Sequence, residues 1–350
     1  MVQYIIRRVL WGIVLVLAVI AITFLLFYLL PNVNPAVLRA GRNSNPKIIA
    51  EIAHDLGTDK PIYTQFWHYL DRLVFHLDLG FSYYSGASVK SLILDRLPAT
   101  ISLTVGGVLI WLMVGIPVGI ISAIKRRTIL DRFSMGTALV FVSAPVYWLG
   151  LLVLFLFASD IGRFKVPFLH GSGSYVGLTV SPLHWFESLL LPWFVLAATS
   201  AAVYARLLRG SLIDVMGEDY IRTARAKGLP ERSVVMKHGV RSAITPLVTV
   251  LGLDIAILLG GAVLVETVFD IPGIGRLNYD AITHGDFPII QGTIVLAVVI
   301  ANEVARRVTR RSAESGTTAA PAPPPPDDGA PTGAGPAVGA VPGGSKEVGQ

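Results

Sequence analysis

Long apolar runs broken by short charged segments set the pattern of this chain. Residues 9–30 carry no charge over 22 positions and follow Arg7 and Arg8. At 1.5 Å per residue such a run rises about 33 Å, enough for the hydrocarbon core of a bilayer. It is too long for the apolar region of a signal peptide and lacks a small-x-small cleavage site, so it predicts a retained first helix. Further runs predict helices over 100–124, with Gly115, Pro117 and Gly119 inside it, over 133–158, over 189–208 and over 247–268. Proline is tolerated in such helices because neighbouring groups re-satisfy the backbone. A sixth helix is expected from Pro288, yet only 289–301 is strongly apolar before Asn302, Glu303, Arg306 and Arg307. A span usually needs about 17 residues. A tilted turn over 304–308, a thinned bilayer, snorkelling arginines or an altered C-terminus would each account for the shortfall.

The polar segments between the runs differ in charge, and the difference predicts sidedness. Residues 31–98 are mixed in charge and rich in aromatics, and 160–181 are rich in Gly, Ser and Tyr with few basic residues. Both suit the outer side. Lys125-Arg126-Arg127 and the stretch 206–241, with eight Lys or Arg against four acids, suit the cytoplasm. The expected fold is therefore all-α: a polytopic transmembrane bundle of about six helices with both termini cytoplasmic. A barrel is excluded because its strands would alternate rather than run apolar for twenty residues. The expected divisions are a first helix over 1–30, an outer segment over 31–98, a core over 99–308 containing a charged loop at 209–243, and a tail over 312–350. That tail is rich in Pro, Ala and Gly, with four consecutive prolines at 323–326, and is expected to be disordered and cytoplasmic.

Composition agrees with a membrane protein: 53% hydrophobic, 15% charged, mean hydropathy +0.63, against about 25% charged in soluble domains. The net charge of +6 does not point to nucleic acid, because the basic residues gather at the ends of apolar runs. The absence of cysteine excludes disulfides, thiolate metal sites and cysteine nucleophiles. No G-x-x-x-x-G-K-[ST] loop is present, so ATP hydrolysis is not expected on this chain. His54, His68, His76, His170, His184, His238 and His284 form no H-E-x-x-H or i, i+4 pair, so no metal is expected. No cofactor motif and no catalytic constellation suggests an enzyme.

The most informative charged stretch is Asp219-Tyr220-Ile221-Arg222-Thr223-Ala224-Arg225-Ala226-Lys227-Gly228-Leu229-Pro230. Glu218 and Asp219 at its start, with Arg225 and Lys227 at its end, follow the order that a helix dipole favours. Gly228 predicts a helix end and Pro230 the first position of a second piece over 231–241. Taken alone, this is a basic loop that obeys topology. Together with Lys237-His238-Gly239-Val240-Arg241-Ser242-Ala243 and Pro246, it resembles the cytoplasmic loop of binding-protein-dependent ABC transporter permeases, most closely the dipeptide/oligopeptide/nickel branch. The Glu-Ala-Ala triplet of that family falls here on Arg222, Thr223 and Ala224. Asp78-Leu79-Gly80 with Ser82, Arg96 to Thr100, and Glu266 to Leu277 carry further likeness.

The resemblance implies an ATP-driven importer of peptides or a related small solute, in the plasma membrane of a bacterium or archaeon and in contact with membrane lipid. It implies a second homologous permease, two ATPase subunits and an extracytoplasmic substrate-binding protein as partners. Asp219, Tyr220, Arg222, Ala224, Arg225, Lys227 and Gly228 would couple to the ATPase. Asp78, Gly80, Ser82, Glu266, Pro272, Gly273 and Gly275 would meet the binding protein. The alternative is an ion-driven secondary transporter, which should show more acids within its spans. Asp254, between Leu253 and Ile255, is the acid that stands out. An ionisable group at that depth is costly in lipid and should face the bundle interior or a watery path, or else lie protonated or paired with an arginine. Ser143, Pro145, Gly260 and Gly261 either shape the same path or let helices pack closely.

Overall fold

The computed structural model describes residues 2–29, 35–40, 45–55, 57, 59–76 and 78–316. Among them, regular structure is helical, with one isolated antiparallel bridge between Phe81 and Ser88. Residues 1–310 form one unit and 311–350 a second. Of the second unit only 311–316 are described, and they are helical, so the first five residues of the expected disordered tail are helix and the rest of it lies outside the described residues.

Helix α1 spans Val2–Leu29. Three shorter helices follow: α2 (Pro35–Ala40), α3 (Pro46–Asp55) and α4 (Ile62–Phe75). Leu73 of α4 is buried with Ile20 of α1 and Val295. The centre of the molecule is the pair α5 (Val89–Ile124) and α8 (Pro182–Val215). Small residues let their backbones meet: a Cβ on Gly119 would lie 2.8 Å from the Ala205 carbonyl oxygen, and one on Gly115 3.0 Å from that of Ala201. Around this seam Leu103, Trp111, Leu189, Val195, Tyr204, Leu208 and Leu212 are buried. The opposite face of α5 is apolar and outward, with Ile101, Val105, Leu109 and Met113 exposed at four-residue spacing. A stripe of that kind suits lipid or a partner helix and does not suit water.

The observed boundaries differ from the expected ones where tertiary packing overrides local signals. The helix expected from residue 100 begins at Val89, because Val89 and Ile93 pack on Ile274, Leu277, Ala281, Ile289 and Ile290 while Lys90 and Asp95 face outward. The single helix expected over 133–158 is two, α6 (Ile129–Ser143) and α7 (Val146–Phe157), bent by 102°. Pro145 cannot donate to the ladder, and Ala144 before it is extended, at φ −77° and ψ 126°.

Between α8 and the last helices lie α9 (Asp219–Ala226), α10 (Glu231–Ser233), a π-helical stretch (Val234–Val240) and α11 (Arg241–Ala243). The helix expected over 247–268 stops early: α12 is Thr245–Leu259, and after Gly260 and Gly261 a separate α13 runs Val263–Val268. Gly261 has φ +119° and its Cβ position would lie 2.5 Å from Gly275, so a side chain is excluded twice over. The last described elements are α14 (Ile274–His284) and α15 (Phe287–Gly316). The charges after residue 301 do not stop α15; its apolar part is Phe287–Ile300.

By length and composition α5 and α8 can each cross a membrane. Among the described residues, the bent pairs α6–α7 and Glu231–Ala243 with Thr245–Leu259 raise the count to four if each is one span. Leu10–Leu25 and Phe287–Ile300 are shorter apolar helices.

Candidate functional site: a charged helix and the bundle it abuts

Helix α9 is built to dock by one side and present the other. Ile221 and Ala224, three apart, are buried against Val234 and Met216. Asp219, Tyr220, Arg222, Thr223, Arg225 and Lys227 are exposed on the remaining surface. Of the seven residues expected to couple, Ala224 is thus a packing residue, and the others face outward or, for Gly228, end the helix. Gly228 has φ +75°, its N–H donates to the Arg225 carbonyl at 2.9 Å, and Leu229 N–H reaches the Ala224 carbonyl at 3.4 Å. That is the left-handed ending which glycine accepts without strain.

Arg225 reaches across this turn to Glu231 through two nitrogens of its guanidinium, Nη2 to Oε1 at 2.7 Å and Nε to Oε2 at 3.1 Å. The guanidinium holds the Glu231 carboxyl below the usual carboxylate range, and the carboxylate in turn raises Arg225. Exposed pairs contribute only about 0.2–1 kcal/mol, so the pair bridges α9 and α10 across the turn without adding much stability. Behind it a cavity of about 260 Å³ is lined by Arg126, Leu212, Met216 and Val235. Asp219 pairs with Arg222 at 3.3 Å within the first turn.

One level deeper, Asp131 accepts from Arg209 Nε at 2.8 Å and Nη2 at 2.9 Å, from the Arg127 N–H at 2.9 Å, and from the Ser122 hydroxyl. The cluster ties the adjoining ends of α5, α6 and α8 beside the charged loop. Sequence reading missed it, since partners separated by 78 positions share no motif. The available signal was an acid four residues after the Lys125–Arg127 cluster.

Asp254 on α12 accepts from the Tyr204 hydroxyl of α8 at 2.7 Å. Its partner in the bundle is therefore a tyrosine and not the arginine that was one of the expected alternatives. The two line a cavity of about 340 Å³ with Trp111, Thr199, Ser200 and Ile257. The other pathway candidates lie elsewhere: Ser143 and Pro145 at the α6–α7 elbow, Gly260 and Gly261 at the α12–α13 turn.

The residues expected to meet a binding protein are largely turned inward. Ser82 is buried and donates to Asp286, which also accepts from the N–H groups of Tyr83 (3.0 Å) and Tyr84 (3.3 Å). Glu266 is fully buried, accepting from the Thr100 hydroxyl at 2.9 Å, Arg276 N–H at 3.0 Å and Ala262 N–H at 3.3 Å. Thr100 in turn accepts from Ile274 N–H at 2.8 Å. Gly273 and Gly275 are buried against Glu266. These four side chains and glycines lie inside the region and hold its loops together. Asp78 and Gly80 form a half-buried turn, with Gly80 N–H donating to the Asp78 carboxylate at 2.9 Å, and Pro272 is half-buried. Exposed Phe81, Tyr84 and Tyr279 are the surface groups nearby in sequence.

A separate group, His170, His184 and Glu187, places three ligand atoms within 4.8 Å of one another. Sequence reading expected no metal site.

A family model described as binding-protein-dependent transport system inner membrane component matches residues 115–302. A model of the N-terminal part of such membrane components matches residues 1–104. A Brucella abortus (strain 2308) protein, named provisionally as a peptide transport system permease, is 40% identical over 84% of this chain and 91% of its own length. The glutathione transport system permease protein GsiC of Escherichia coli O6:H1 is 39% identical over 85% of this chain and 92% of its own. That of Salmonella typhimurium is 38% identical over the same shares. Among solved structures, a chain of the MetNI methionine ABC transporter in an inward-facing conformation aligns with TM-score 0.47 and 19% identity, covering 63% of this chain and 96% of that one.

Proposed function

Because the chain belongs to the family of binding-protein-dependent transport system inner membrane components, we propose that it is the half of a peptide importer's gate that α9 turns. As a member it is the membrane permease subunit of an ABC importer, working with an ATPase and a substrate-binding protein, and ATP is hydrolysed on the partner. The finer reading is ours. The cargo is a short peptide, glutathione included, the chain crosses a bacterial or archaeal plasma membrane six times with both ends inside, and it pairs with a second homologous permease and two ATPases. The six crossings are α1, α5, α6–α7, α8, α12 and α15.

The observation that carries the coupling role is the two-sidedness of α9. A helix with a buried Ile221 and Ala224 beneath six exposed polar or aromatic side chains moves with the bundle while offering its outer face to another subunit. The Asp131–Arg209 cluster then passes that displacement to α5 and α6, and the Tyr204–Asp254 cavity lies further along α8 on the path proposed for cargo. The test is uptake of labelled dipeptide and of glutathione by cells carrying the whole system. Collapse of the proton gradient with ATP retained should leave uptake intact. Uptake that falls with the gradient would instead support the ion-driven alternative.

A further inference from the structure

We infer that His170, His184 and Glu187 form a binding site for a divalent transition-metal ion of the zinc type, independent of the transport reading. His184 and Glu187 stand three apart in the first turn and a half of α8 and so share one face. His170 comes from the α7–α8 loop and is held where it is by the backbone. Ser159 N–H donates to the Leu169 carbonyl at 2.7 Å, Gly173 N–H to the Phe269 carbonyl at 3.0 Å, and the Ser174 hydroxyl to the Gly171 carbonyl at 2.7 Å.

The spacing fits such an ion. Zinc bonds of about 2.0–2.1 Å in a tetrahedron place neighbouring ligand atoms about 3.3 Å apart. His170 Nε2 and Glu187 Oε2 are already 3.1 Å apart. The His184 ring lies parallel to that of His170, 4° between planes and 5.5 Å between centroids. His184 is exposed and free to turn the remaining distance, whereas His170 and Glu187 are half-buried and set. Two neutral imidazoles and a carboxylate are a donor set that suits zinc, and three protein ligands leave a fourth position for water. The Asp160 carboxylate packs on Gly171, next to His170 in the same loop. The ion would fasten the loop carrying His170 to the start of α8.

The test uses the full-length chain purified in detergent with whatever subunits accompany it, titrated with Zn²⁺ against a chromophoric zinc chelator. One equivalent should bind, and Zn²⁺ should raise the melting temperature. His184→Ala leaves the His170–Glu187 hydrogen bond in place, so without metal it should melt as the parent does, yet bind zinc at least about tenfold more weakly and lose the zinc-dependent rise. Glu187→Gln, which can still hydrogen-bond His170, should weaken binding likewise. Zinc retained by His184→Ala at parental affinity, a rise that persists in that variant, or no binding by the parent at micromolar metal would overturn the site.

Discussion

Gly228 shows how one residue sets the end of a helix. Nothing lies within 4 Å of its Cβ position, so any effect of a substitution there is conformational and not steric. Gly228→Ala forces a Cβ into the left-handed region at a cost of about 1–2 kcal/mol. We expect the variant to insert and assemble, to fray the end of α9, and to lose much of its uptake. Gly228→Asn, which tolerates that region better, should recover most of it in the same assay. Asp131 is a different case, because its side chain is 6% exposed and its partner Arg209 26%. Removing one member of a buried pair costs about 3–5 kcal/mol, and the partial exposure of Arg209 puts Asp131→Ala near the lower end. The double replacement Asp131→Leu with Arg209→Met should recover much of that loss, and melting of the three purified proteins compares them directly. If the double variant melts no higher than Asp131→Ala, the pair is not what holds the three helix ends together.

At the scale of elements, α9 is legible in the sequence alone. Its acids, bases, Gly228 and Pro230 each carry a local physical meaning, and the helix is found at Asp219–Ala226. The apolar cores of α5 and α8 are equally legible, since length and hydropathy decide them. What escapes sequence reading depends on contacts made across the fold. The early start of α5 at Val89 reflects packing against α14 and α15, and the π geometry of Val234–Val240 has no composition signal. Glu266 enters the sequence reading only through the family likeness of residues 266–277; its three internal hydrogen bonds come from residues on either side of the α13–α14 turn and from α5. The two faces of α9 can be separated by experiment. Ile221→Asp buries a charge without a partner and should detach the helix, lowering both melting temperature and uptake. Arg222→Glu alters only an exposed side chain, so it should leave melting unchanged while uncoupling uptake from the partner's ATP hydrolysis. Equal loss of stability in both variants would remove the distinction between docking face and presenting face.

The whole molecule must resolve a conflict between apolar helices and charged segments, and sidedness is how it does so. The outward stripe of Ile101, Val105, Leu109 and Met113 needs lipid or another apolar helix, whereas the eight basic residues over 206–241 need water. Placing one arginine at the bilayer centre costs about 2.5–3.5 kcal/mol even on the milder scale, so the two regions cannot exchange places by small tilts of the bundle. The cysteine-free sequence makes the resulting topology directly measurable. A membrane-impermeant maleimide applied to intact cells should label Thr179→Cys, in the exposed α7–α8 loop, and should spare Arg222→Cys until the membrane is permeabilised. The two positions are exposed to solvent in the fold, so a difference in labelling reports the side of the membrane and not burial. Labelling of Arg222→Cys from outside would put α9 beyond the reach of a cytoplasmic ATPase. The coupling role would then fail even though the packing of α5 against α8 stood, because the handle and the motor would lie on opposite sides of the barrier.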